Sequence, residues 1–218
     1  MLYRTLVDIR SDIQSRLGFG MAGQAGVVNS GLIDSMIRSA QRQLYEQFDW
    51  LHLRSVLDRD LGANQQYMDY PDDCNIERIQ QICVKWGGRY VPLIEGIDLE
   101  HRNVPSAGPP LRYERRDQIE VLPVPASAEY GLRVEYIKQL SALNRDTDRV
   151  SLPDELVYLH ALSNAKSHYR QPDAQTYASQ LEALLNRLKA GHRSRTVWGA
   201  VKSPDPYSRV DGSQDSYA

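Results

Sequence analysis

Four stretches of the chain place apolar residues three or four positions apart, and they constrain the possible folds more than any other feature. Two stretches precede residue 52 and two follow residue 140. This spacing gives each stretch one apolar helical face, which must be buried against another element. We therefore expect four amphipathic helices. The residues on their apolar faces are Leu2, Leu6, Ile9, Ile13 and Leu17; Ile33, Ile37, Ala40, Leu44 and Phe48; Leu156, Leu159, Leu162 and Ala165; and Tyr177, Leu181, Leu184 and Leu188.

Residues that favour helix ends flank these stretches. Asn29 or Ser30 is a suitable N-cap for the second helix. Ser151 is the expected cap of the third, because Pro153 and two acidic residues follow it. The fourth helix is expected to stop at Gly191, directly after a late cation.

The segment between the helical pairs is predicted to form strands. Leu132, Val134 and Tyr136 alternate with their neighbours, as in a half-buried strand. Residues 89–93 and 119–122 look similar, with turns expected at 87–88 and 116–117 and a short helical turn at 98–102. We therefore predict an α+β protein: a four-helix bundle (residues 1–51 and 141–190) with an inserted antiparallel β module (52–140) and an extended C-terminal arm (191–218).

The arm, Gly191–Ala218, contains no Leu, Ile, Met or Phe. Such a segment buries too little apolar surface to offset its ordering entropy, so we expect it to become ordered only on a partner. Its large side chains, Trp198, Tyr207 and Tyr217, are the expected anchors. The arm therefore predicts a binding partner.

Composition narrows the classes of function. The net charge of −2 argues against a dedicated nucleic-acid binder. The charged N-terminus does not resemble a signal peptide, and the glycine-rich run 17–33 is a poor membrane span. Cys74 and Cys83 are expected to be reduced, buried thiols. We expect a soluble protein made in the cytoplasm of its host, with no membrane partner.

Two motifs resemble ligand-binding loops but lack the right context. Residues 18–23 match GxGxxG, yet they follow a helix rather than a strand, so a flexible loop is the preferred interpretation. Residues 144–155 resemble a calcium loop, but Arg149 stands where the sharp turn requires glycine. We interpret this second segment as a polar linker.

No set of residues indicates catalysis or a metal site. The five histidines are scattered, and His160 and His168 are expected to lie on a polar helix face. The acidic pairs Asp58/Asp60 and Asp72/Asp73 suggest glycosidase carboxylates only if they converge in space. We therefore expect a protein that is not an enzyme and that has no cofactor.

Two basic clusters leave an alternative function open. Residues 112–116 contain three arginines and Tyr113, and residues 192–195 contain two arginines close to Trp198. Cations interleaved with aromatic side chains bind single-stranded nucleic acid by charge and stacking. The same residue types also anchor protein interfaces. We prefer the interface, and a nucleic-acid-binding module is the alternative.

The order of these parts resembles the head-to-tail adaptor (connector) proteins of tailed bacteriophages, particularly the short-tailed type. The resemblance covers about residues 1–190. It rests on the first helix and glycine loop and on short fragments at 39–45, 50–53, 70–73, 76–79, 108–113, 132–136, 152–156 and 177–188.

The resemblance implies a structural virion protein at the head–tail junction. Its partners would be the portal protein, a tail (nozzle or tube) protein and further copies of itself, commonly twelve, in a ring. Packaged DNA would pass through the ring without sequence-specific binding. The C-terminal arm would dock on the portal, and its proposed contact residues are Arg193, Arg195, Trp198, Lys202, Tyr207, Arg209 and Tyr217.

Overall fold

A computed structural model describes residues 3–19, 29–103 and 107–193 of the chain. The described residues form five helices, together with a short 3₁₀ turn at Leu51–Leu53. The helices are α1 (Leu6–Leu17), α2 (Ser30–Gln47), α3 (Leu99–Asn103), α4 (Asp154–His168) and α5 (Ala174–Arg193). No helix in these ranges is both long and apolar enough to cross a membrane.

Two four-stranded sheets lie between α2 and α4 in the sequence. The first sheet has the strand order β1-β8-β3-β4 and is antiparallel throughout. The second has the order β2-β7-β6-β5, with β5 and β6 parallel. The strands are β1 (Arg54–Asp60), β2 (Tyr67–Met68), β3 (Cys74–Trp86), β4 (Arg89–Pro92), β5 (Ile94–Glu95), β6 (Arg112–Arg115), β7 (Ile119–Leu122) and β8 (Gly131–Lys138).

Helix α4 lies at the centre of the helical part, where it packs against α1, α2 and α5. Its buried residues occupy several sides of the helix, as its position among three neighbours requires. In contrast, no residue of α5 between 174 and 191 is fully buried. Its apolar face, including Leu181, Leu184 and Leu188, is half-buried against this core. The core thus rests on α1, α2 and α4, and α5 covers one side of it.

The two sheets share a second, separate hydrophobic core. Ile82, Val84 and Leu132 contribute to it from the first sheet, and Ile119 and Val121 from the second. All five side chains are almost fully buried. The sheets therefore pack face to face and bury an apolar interior of their own.

The predicted fold class is wrong. The described part of the chain is not a four-helix bundle with an inserted antiparallel β module, since it contains five helices and two four-stranded sheets, one of them with a parallel pair. The parallel pair arises because the chain passes from the edge of the first sheet (β4) to the edge of the second (β5), and then returns through α3 to β6. The individual segments predicted at 119–122 and 132–136, and the short helix near 98–102, are confirmed.

The helix ends differ in detail from the predictions. Asn29 is the N-cap residue of α2, as expected, and its Oδ1 accepts a hydrogen bond from the Tyr169 hydroxyl. The predicted cap at Ser151 is wrong, because Pro153 is the N-cap residue of α4 and the Ser151 hydroxyl accepts the backbone N–H of Ser141 instead. Helix α5 continues past Gly191 to Arg193, so the predicted stop is two residues early.

Candidate partner-binding surfaces

The seven residues proposed to contact the portal begin where α5 ends. Arg193 is the last residue of α5, and its side chain lies outside the described part of the chain. The remaining six, Arg195, Trp198, Lys202, Tyr207, Arg209 and Tyr217, also lie outside the described residues. Their role stays a prediction.

The arginines at 112–116 form hydrogen bonds and ion pairs with other residues of the fold. Arg112 Nη1 donates to the carbonyl oxygen of Gly96 at 3.2 Å, and Arg115 Nε donates to Glu95 Oε1 at 2.7 Å. Arg116 lies 3.4 Å from a Glu114 carboxylate oxygen. Because Arg115 and Arg116 are paired with carboxylates and Arg112 is hydrogen-bonded to a backbone carbonyl, this cluster offers less free positive charge to a nucleic acid than its sequence suggests. It does not support the nucleic-acid alternative.

A buried ion pair holds α3 on the second sheet. Two guanidinium nitrogens of Arg102 donate to the two carboxylate oxygens of Glu120, at 2.6 and 2.7 Å. Glu120 is only 1% exposed, and it also accepts a hydrogen bond from Gln66 at 2.9 Å. The hydrogen bonds from Arg102 keep the pKa of Glu120 below its ordinary value. Helix α3 has no buried residue of its own, so Arg102 is its main attachment.

The acidic pairs do not form a catalytic constellation. Asp58 pairs with Arg133 at 2.6 Å, whereas Asp73 accepts the Tyr136 hydroxyl at 2.6 Å. Asp58 aligns with Arg133 on β8, and the residue after Asp73 aligns with Lys138. Five strand residues therefore separate the two sites, or about 17 Å at ~3.4 Å per residue. That exceeds the ~5–9.5 Å between glycosidase carboxylates.

The pKa values of these two carboxyl groups also argue against a general acid. The hydrogen bond from Arg133 lowers the pKa of Asp58. Hydrogen bonds from Tyr136 and Lys138 lower the pKa of Asp73. A general acid near neutral pH needs a raised pKa.

The segment that resembles a calcium loop is a linker bound to α1. Asp146 forms an ion pair with Arg10 at 2.6 Å. Asp148 accepts the backbone N–H groups of Asn144 and Arg145, at 2.8 and 2.7 Å. The carboxylates are thus engaged with the protein itself. Within the described residues, no group of three or more His, Cys, Asp or Glu side chains is arranged to hold a metal ion.

Polar contacts to the end of α2 join the helical part to the first sheet. The Tyr45 hydroxyl donates to the carbonyl oxygen of Lys138 at 3.1 Å and accepts a hydrogen bond from Asn75 at 2.8 Å. Arg78 donates to the carbonyl oxygens of Tyr45 and Glu46, at 2.7 and 3.0 Å. Its guanidinium also lies 4.4 Å from the centre of the Tyr45 ring. These contacts satisfy carbonyl groups at the helix C-terminus and couple the two parts mechanically.

The most open aromatic and cationic surface of the described chain was missed by the sequence reasoning. It is the β3–β4 hairpin, whose tip reads Lys85-Trp86-Gly87-Gly88-Arg89-Tyr90. Gly87 and Gly88 have φ angles of 55° and 78°, as a tight two-residue hairpin turn requires. Every residue from 85 to 92 is exposed. A usable signal was present in the sequence, since a cation and an aromatic residue stand on each side of a Gly-Gly turn.

Comparison with known protein families decides the identity. A family model described as SU10 adaptor protein matches residues 4–204. The chain belongs to this family. The resemblance seen in the layout of the sequence is thereby confirmed. No curated protein matches the chain.

Membership of the SU10 adaptor family gives the protein a structural role in a phage. The adaptor is a head-to-tail adaptor protein, and hence a virion component at the head–tail junction. The family implies interaction with the portal and the tail.

Proposed function

We propose that the adaptor is the subunit of a closed ring that docks on the portal, connects it to the tail and continues the DNA channel between them. The arm, Gly191–Ala218, is the portal-docking element in this proposal. The helical core and the two sheets form the rigid body of each subunit.

The observation that carries the proposal is the extent of the family match. It continues beyond the end of α5 at Arg193 to residue 204, and so includes Arg195, Trp198 and Lys202. The first part of the arm is therefore part of the family pattern. The arm lacks the apolar residues needed for a core of its own. We therefore attribute its presence in the family pattern to binding rather than to folding.

Trp198 is the proposed anchor of the arm. It is the only aromatic residue between Thr196 and Ser203, so no neighbour can replace the contact made by its ring. A buried aromatic anchor of this type typically contributes ~2 kcal/mol or more to an interface. In a ring, many arms bind at once, and this multivalency makes a modest contact per subunit effectively permanent.

Removal of the arm tests the proposal. We expect an adaptor lacking residues 192–218 to remain folded and soluble and to lose co-sedimentation with assembled portal. Trp198→Ala should weaken co-sedimentation in the same direction, whereas Ser203→Ala, an alanine substitution in the same segment that removes no aromatic ring, should not. Wild-type attachment of the deletion variant would show that the arm is passive, and the proposed docking would be wrong.

A further inference from the structure

The β3–β4 hairpin carries a cation and an aromatic residue on each of its faces. Trp86 pairs with Arg89 across the hairpin, and Lys85 pairs with Tyr90. Residues paired in an antiparallel ladder share a face of the sheet, with Cβ atoms about 5 Å apart. Each face of the tip therefore presents one aromatic side chain beside one positive charge.

The hairpin extends beyond the core that should cover it. On the face turned towards the second sheet, Val84 and Leu93 are buried, with 1% and 8% exposure. One step further towards the tip, Trp86 and Val91 point the same way but are 49% and 40% exposed. The Trp86 ring packs edge-on with the Tyr130 ring at a centroid distance of 6.3 Å, and about half of Trp86 stays exposed. Because this apolar face continues beyond the hydrophobic core, we expect another molecule to cover its exposed part.

Arg89 forms no ion pair with a carboxylate among the described residues. On the opposite face of the hairpin, Arg133 stacks 3.8 Å from the Tyr90 ring and pairs directly with Asp58. The hydrogen bond from Arg133 lowers the pKa of the Asp58 carboxyl group, and Lys85 contributes to this lowering. The chain as a whole has a net charge of −2. The tip is thus a local positive site on an acidic protein, and its electrostatic complement is an acidic surface.

The apolar residues at this site favour a protein over a nucleic acid. Val91 on the edge strand β4 and Ile94 on the edge strand β5 that follows it are 40% and 59% exposed, and aliphatic side chains gain little against phosphate. Trp, Tyr and Arg are the residue types that dominate binding at protein interfaces. Pro92 ends β4 without a backbone N–H, which hinders addition of another strand. Contact is therefore made through side chains.

We infer that the β3–β4 hairpin, with Trp86 and Arg89 as its main anchors, is the docking surface for an acidic surface of the tail-side protein. This inference rests on the proposed function, in which the arm serves the portal and a second surface must serve the tail. The partner surface needs an apolar depression for Trp86, with carboxylates placed to meet Arg89 and Lys85.

Two full-length variants test the inference: Arg89→Glu, which reverses the charge of an exposed side chain, and Trp86→Ala. The control is Arg42→Glu, which makes the same charge change at an exposed arginine of α2. Each adaptor is assembled on portal, and joining to tails isolated from the same phage is then measured by titration. We expect Arg89→Glu and Trp86→Ala each to raise the concentration needed for tail joining at least tenfold, with portal joining and the Arg42→Glu control unchanged.

Portal joining tests the proposed function and tail joining tests the hairpin, so either can fail separately. Wild-type tail joining by Arg89→Glu and Trp86→Ala would overturn the inference. So would variants that join tails normally but lose binding to a duplex DNA oligonucleotide, because the surface would then serve DNA. Loss of portal joining by folded hairpin variants would also overturn it, since the hairpin would then belong to the portal contact.

Discussion

Truncation of Leu44 is expected to weaken the helical core strongly. Leu44 lies on α2 and is 1% exposed, in the cluster that joins α1, α2 and α4. Leu→Ala substitutions at such sites cost about 2–5 kcal/mol, from lost burial and from the cavity that remains. Because Leu44 belongs to a core to which three helices contribute and which limits collapse of a cavity, we expect about 3 kcal/mol or more for Leu44→Ala. Leu44→Asp adds an unpaired buried carboxylate and should prevent folding.

Two comparisons make the expected magnitude specific. Leu184 on α5 is only half-buried, so Leu184→Ala should cost roughly half as much, or about 1–1.5 kcal/mol. Gln43→Ala, next to Leu44 but on the exposed side of α2, should change stability by no more than about 0.5 kcal/mol. The assay is urea denaturation followed by far-UV circular dichroism, with midpoint and slope compared among the variants. A free energy of unfolding for Leu44→Ala within 0.5 kcal/mol of that for Gln43→Ala would refute this account of the core.

Three further outcomes follow from individual contacts. Hydrogen bonds from Arg102 hold the pKa of Glu120 in the folded protein below its ordinary value of 4.5. The ion pair therefore stabilises the fold fully above pH 4.5, and this contribution is lost as the pH falls through the lowered pKa. The urea midpoint should therefore drop between about pH 5 and pH 3, and should drop less in Arg102→Gln; an equal drop in both would contradict the assignment. Burial raises the pKa of the Cys74 thiol to about 11 and also raises that of Cys83, so neither should react with a thiol reagent near pH 8 until the protein is unfolded. Rapid labelling of the native protein would count against their burial. We expect the free chain to be largely monomeric, and trypsin should cut it first after Arg193, Arg195 or Lys202. Protection of these sites in a dilute monomer would contradict the expectation that the arm becomes ordered only on its partner.

Local periodicity predicted the helices well because their apolar faces are set by residues close in sequence. Leu6, Ile9, Ile13 and Leu17 are all buried, as their spacing requires. The same spacing could not show that α5 stays half-exposed. Periodicity reports which side of a helix is apolar, whereas burial depends on how many other elements cover that side.

The arrangement of the sheets was not predictable in the same way. β1 reads RSVLDRD, which shows no apolar alternation, and its partner β8 lies more than 70 residues later in the chain. Only that non-local pairing defines β1 as a strand. The family layout was recognisable without it, because the helices and the short fragments keep their order along the chain.

The candidate sites show the same limit. The arginines at 112–116 looked like an open basic cluster, but the pairing of Arg115 with Glu95, twenty residues earlier, was identifiable only from the fold. At Arg89 the situation is reversed, since its lack of a carboxylate ion pair among the described residues became clear only in the structure. Whether a cation is free or neutralised depends on tertiary contacts, which sequence spacing does not contain.

Electron microscopy of the adaptor bound to isolated portal tests the central claim most directly. We predict a closed ring of adaptor subunits on one end of the portal, coaxial with its channel, with as many subunits as the resemblance implies, commonly twelve. The variant that lacks residues 192–218 should leave the portal bare under the same conditions. Portal particles that carry no ring with the wild-type adaptor, or scattered adaptor monomers without an open central channel, would contradict the account.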